Sequence, residues 1–119
     1  MAALVASLAV ALTSQAAPAP GDHDLMLSRL IQDAAQGHIQ YQTMTPQLAD
    51  AVRPQAEITR SELTALGALK SVTFESVDPS GAEFYRTDFE RGALEWAFSV
   101  DGRGLINNAR YRRPAANPS

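Results

Sequence analysis

The hydrophobic period of the chain changes at Leu69. Before it, apolar residues recur at helical spacing; after it they alternate with polar ones, and three short turn sequences break the alternation. The turns are Asp78-Pro79-Ser80-Gly81, Glu90-Arg91-Gly92 and Asp101-Gly102-Arg103-Gly104. They separate four strands at 69–77, 82–89, 93–100 and 105–112. Connections this short join antiparallel neighbours, so the second half reads as a four-stranded meander.

Pairing outward from each turn, Val77 with Ala82, Phe89 with Leu94 and Val100 with Leu105, predicts the registers. One face then carries the rows Phe74–Tyr85–Phe98–Asn107, Val72–Thr87–Trp96–Ala109 and Lys70–Phe89–Leu94–Tyr111. The other carries Glu75, Arg86, Asp88, Glu95, Arg110 and Arg112. A slip of one residue would scatter the aromatics over both faces, so the separation itself argues for the face assignment. One face is apolar and needs a cover; the other is wet.

The first half supplies the cover. Asp22 or Asp24 caps a helix whose stripe is Leu27, Leu30, Ile31, Ala34 and His38, with Gly37 as its stop. Thr45 before Pro46 is an N-cap followed by proline at the first helical position, opening a short helix that Pro54 ends. A third helix runs from Gln55 to Leu66, closed by Gly67. The expected class is α+β, with two to three N-terminal helices packed on one face of the meander.

Residues 1–21 hold no charged side chain, and 2–12 are almost wholly apolar. That run is shorter than the roughly 20 residues a membrane span needs, and it matches the apolar middle of a secretory signal. Ser14 and Ala16 offer the small residues of a cleavage site. The expected organisation is a signal peptide at 1–16, a linker at 17–21, one domain at 22–114 and a disordered tail at 115–119. Nine Arg against one Lys points to a GC-rich bacterial genome, hence to a periplasmic or secreted protein with no transmembrane segment after cleavage.

The 119 residues contain no Cys, which excludes disulfides, thiolate nucleophiles and Cys-based metal sites. No nucleophile-elbow, Walker, zinc-protease or dinucleotide-binding pattern occurs. His23 sits between two aspartates and His38 lies fifteen residues later. Adjacent residues do not converge on one ion, so no metal and no cofactor is expected. Asp88 and Glu95 are neighbours on the wet face, Glu95 opposite Arg110. Such a pair can share a proton as acid and base, but on an open sheet face it reads as an ion-pair row. Arg103, Arg110, Arg112 and Arg113 follow the last acidic residue, Asp101. On a chain of net charge −3 this is edge-strand protection, and no nucleic-acid partner is expected. The candidate ligand-binding residues are Tyr85, Thr87, Trp96, Asn107 and Tyr111, polar groups set among the aromatics of the apolar face. Phe84, Ala97 and Ile106 on the wet face form a candidate patch for dimerisation.

The chain carries Met44-Thr45-Pro46-Gln47-Leu48-Ala49, then Leu66-Gly67-Ala68-Leu69-Lys70-Ser71-Val72-Thr73-Phe74. It continues with Phe84-Tyr85 before Phe89, Gly92-Ala93-Leu94-Glu95-Trp96, Asp101-Gly102 and Arg113-Pro114. Across His38 to Pro114 it resembles a family of small exported bacterial domains of unknown function with an NTF2-like/cystatin-like shape. Similar domains stand alone or beside serine-hydrolase domains of β-lactamase-like or α/β-hydrolase type. The resemblance implies an accessory role with the nucleophile in the partner, and it defines no catalytic residues. It departs from the family's usual Asp-Gly-Lys-Ile at Arg103-Gly104-Leu105-Ile106, and its last strand, with Asn107-Asn108-Ala109-Arg110, is more polar. The expectation is a non-enzymatic exported accessory or interaction module, paired with a serine hydrolase or with itself. The alternative is a binder of a small apolar ligand.

Overall fold

The computed structural model, which describes residues 22–114, is α+β, with helices packed against a four-stranded antiparallel sheet. The expected signal peptide, linker and tail fall outside these residues. Helix α1 is Asp24–Gln36, α2 is Pro46–Val52 and α3 is Ala56–Leu66, with single 3-10 turns at Tyr41–Thr43 and Arg53–Gln55. The strands are β1 Leu69–Val77, β2 Glu83–Phe89, β3 Gly92–Val100 and β4 Ile106–Arg112, in that order across the sheet. No helix among the described residues is long and apolar enough to cross a membrane.

The expected stripe packs over its first four members, while His38 lies beyond the Gly37 stop and is exposed. Leu27, Leu30, Ile31 and Ala34 are buried, and α1 lies against α3 and β1. Helix α2 starts where Thr45 Oγ1 accepts a hydrogen bond from the Leu48 N–H at 3.3 Å, and it lies against β4. The core between these layers is Tyr85, Phe89, Leu94, Trp96, Phe98 and Ile106 from the sheet, with Leu63 and Met44.

The registers differ from those predicted, and the faces are kept except beside two irregularities, at Leu69–Lys70 and at Ile106–Asn107. In the β1–β2 pair, Val72↔Thr87 and Phe74↔Tyr85 stand as expected, but irregularities flank them. Leu69 therefore takes the place opposite Phe89, and Lys70 is exposed. The β2–β3 hairpin closes with Phe89↔Gly92, two residues tighter than expected. Its tip is bound to the end of α3: Glu90 N–H donates to Ala68 O, Arg91 N–H to Leu66 O, and Arg91 Nε to Ala65 O. Those tertiary bonds select the shorter loop. The β3–β4 pair is also displaced by two, to Phe98↔Ala109 and Trp96↔Tyr111, with an irregularity between Ser99 and Val100. A slip of two keeps every side chain on its face.

The other two hairpins share one construction. Asp78 Oδ1 accepts from the N–H groups of Ser80 and Ala82, as Asp101 Oδ1 does from those of Arg103 and Leu105. In each, a glycine closes the loop at positive φ, 94° at Gly81 and 85° at Gly104, where an L side chain is strained. Both carboxyls are held below the usual aspartate range. At Asp78 the main cause is the Ser80 hydroxyl, and at Asp101 the N–H groups of Leu105 and Arg103. A depressed folded pKa contributes stability above the ordinary value of about 3.9 and loses it as pH falls through the lower folded value. The chain therefore loses stability as it is acidified below about pH 4, and Asp78→Asn with Asp101→Asn flattens that limb. Urea midpoints measured across this range check it; equal acid slopes for parent and double variant would refute it.

Candidate binding groove

On the apolar face, the candidate ligand-binding residues Tyr85, Thr87 and Trp96 sit in a packed core among the described residues. All three are buried, and Leu27, Leu30 and Ile31 of α1 fill the space over the sheet. The Thr87 hydroxyl donates to Leu94 O at 3.1 Å, so its polar group is spent inside the sheet. The Trp96 ring lies 4.9 Å from that of Tyr111, and its Nε1 is buried without a hydrogen-bond partner among the described residues. Asn107 is elsewhere altogether. The irregularity at the start of β4 puts it on the wet face, exposed, accepting a hydrogen bond from Ser99 Oγ at 2.6 Å. The same irregularity turns Ile106 inward, where it is buried, and so removes it from the expected dimer patch with Phe84 and Ala97.

The carboxylates of the wet face are separated by their own partners. Asp88 takes Arg86 at 3.1 Å and the Ser71 hydroxyl, while Glu95 takes Arg112 at 3.1 Å. The expected Glu95–Arg110 pairing is replaced because β4 is displaced by two. Arg110 stands opposite Ala97 instead.

A polar cluster that the sequence reading overlooked lies at the start of α1. Glu83 is buried on the apolar face, in the row Glu83–Phe98–Ala109. The Tyr85 hydroxyl donates to Glu83 Oε1 at 2.6 Å and accepts from the His23 N–H at 3.2 Å, and His23 Nδ1 lies 3.0 Å from the same carboxylate. Burial, reinforced by the carboxylate, pushes the Tyr85 hydroxyl well above its ordinary value of 10.0. The signal was present in the alternation, since Glu83 is two residues from Tyr85 and shares its face. Among the described residues no cluster of His, Asp or Glu could hold a metal ion.

Open space lies at the other end of the sheet, between α2, α3 and β4. A groove of about 760 Å³ runs there over Leu94 and Ala109, walled by Leu48, Val52, Ile58 and Leu66. Its polar lining includes Thr59, Glu62 and Tyr111, with Arg110, Arg112 and Arg113 bordering it. The Tyr111 hydroxyl donates to Glu62 and lies 3.4 Å from Thr59 Oγ1; burial first, then the Glu62 carboxylate, raises its pKa. Tyr111 is the one residue of the expected ligand set that lines this groove.

The groove opens because a fifth strand begins and stops. Met44 bridges Ile106 in parallel, and the Thr45 N–H donates to Ile106 O at 2.9 Å. Thr45 then caps α2 and the chain leaves the sheet, so no described strand flanks β4 from Asn108 onward. Helix α2 lies against β4 and α3 reaches Tyr111, and the groove is the space left between the two helices and the strand. Comparison with protein families, with curated proteins and with solved structures returns no match.

Proposed function

We propose that the chain is a non-catalytic exported accessory module, an NTF2-like/cystatin-like roll that binds its partner through the groove between α2, α3 and β4. The observation that carries this reading is the groove itself, an apolar floor with polar ends beside a free sheet edge. Two further features support it. The space beneath α1, where such rolls could enclose a reaction, is filled by side chains. The carboxylates near one another each bond a separate partner, so none is poised as a free base. The apolar run at 2–12 supports export to the periplasm or beyond, and the resemblance supports a serine hydrolase as the partner.

A small amphipathic ligand is the second reading, favoured by the Tyr111–Glu62–Thr59 group at the wall of the groove. Native mass spectrometry of the chain isolated gently from its host separates the two. A retained polypeptide mass supports the module, and a retained mass of small-molecule size supports the ligand. Either must be lost in Ile58→Asp, an exposed substitution on the groove wall that leaves the core untouched. A bound mass that survives Ile58→Asp and an Ala109→Trp filling of the floor would overturn the groove reading.

A further inference from the structure

We propose that the free edge of β4 accepts an extended peptide as a fifth strand, and that the peptide alternates acidic with apolar residues. This deepens the groove reading and rests on it. A strand edge presents unpaired N–H and C=O groups, and an added strand satisfies them whatever its direction. Here the position is already begun by the Met44–Ile106 bridge and vacated at Thr45. The other edge is less suited, because β1 is irregular both after Leu69 and after Phe74.

The alternation follows from what flanks β4 on each side. On the groove side are Ala109 and Tyr111, over which apolar side chains of the new strand would enter toward Leu48 and Val52. Alternating with them along β4 are Arg110 and Arg112, opposite Ala97 and Glu95 of the wet face, and both border the groove, as does Arg113. Arg112 is bonded to Glu95, but Arg110 and Arg113 make no ion pair among the described residues. Acidic side chains at every second position would meet that charge while the residues between them fill the groove. A second copy of this chain fits poorly, since pairing two β4 edges sets arginines against arginines. A nucleic acid meets the charge but offers no alternating apolar side chains for the floor.

The test uses isotope-labelled chain and a synthetic peptide of alternating glutamate and valine, with an alternating lysine–valine peptide and an oligothymidylate as competitors. The glutamate peptide should shift amide resonances of 108–113 and of 48–62 and slow hydrogen exchange along β4. Arg110→Glu with Arg113→Glu should weaken it by about tenfold at low salt, and the lysine peptide should gain in that variant. Tighter binding of oligothymidylate, or shifts confined to β1 or the wet face, would overturn the proposal. So would indifference to the charge reversal. If the peptide fails while the native partner still depends on Ile58, strand addition falls and the groove reading stands. If neither depends on the groove, both fall.

Discussion

Phe98→Ala should lower the stability of the domain by about 3–5 kcal/mol, the range for emptying a fully buried aromatic position. Phe98 is 0 % exposed and lies at the centre of the apolar face. Its ring sits 6.4 Å from that of Tyr85, nearly edge-on at 81°, and 6.3 Å from the imidazole of His23. Truncation removes both ring contacts and leaves a cavity that α1 cannot fill without moving. A domain of this size has only about 5–15 kcal/mol in total, and each kcal/mol moves Tm by roughly 4–8 °C. The melting point should therefore fall by at least about 12 °C. Phe74 supplies the control. It also packs edge-on to Tyr85, at 5.6 Å, but on an edge strand and 37 % exposed. Phe74→Ala should cost less than about half as much, since a large part of its surface is in water already. Thermal and urea unfolding followed by circular dichroism compare them. Equal losses would mean that the space under α1 is not the packed core described above, and the alternative of a small-ligand pocket there would return as a candidate.

Phe98 also marks what alternation reveals and what it does not. Which residues face inward was legible from period two over most of the sheet, because β2–β3 and the regular part of β3–β4 differ from expectation by two residues, the exceptions being Lys70 and Asn107. Which residues sit opposite one another was not. The short β2–β3 loop is selected by bonds from Glu90 and Arg91 to the end of α3, and nothing in the turn itself announces those. Asn107 fails for a related reason, since one extra residue beside Ser99 and Val100 rotates it to the wet face and brings Ile106 in. The helix stripe on α1 and the cap at Thr45 were readable because they are local. The groove was not, because it exists only through where α2 and α3 stand relative to β4. Tyr111 could be named from the sequence as inward-facing, but not that it faces space rather than core.

Glu83→Ala should cost about 2–4 kcal/mol, although a charged residue in a strand looks dispensable on inspection of the sequence alone. The carboxylate is the shared acceptor of a buried network, receiving the Tyr85 hydroxyl at 2.6 Å and lying 3.0 Å from His23 Nδ1. Its removal leaves the buried Tyr85 O–H without an acceptor and the half-buried His23 imidazole without its partner. Glu83→Gln keeps an acceptor and should lose less than half as much. The network also has a pH signature. Tyr85 is held neutral in the fold, its pKa raised by burial and by Glu83, while in the unfolded chain it ionises at about 10. Stability from this shift is complete below about pH 10 and declines as pH rises above it, because only the unfolded chain releases the proton. Tyr85→Phe should therefore lose the hydrogen bonds, lowering stability near neutrality by about 1 kcal/mol, and should flatten the alkaline limb. Because His23 precedes α1 and Glu83 opens β2, sixty residues away, the network ties the start of that helix to the sheet. In Glu83→Ala the amides of α1 should then exchange faster than those of β2 and β3. Uniform loss of protection would instead make the cluster one more part of the general core. Faster exchange in α1 alone would identify it as the latch that keeps the helix closed over the apolar face.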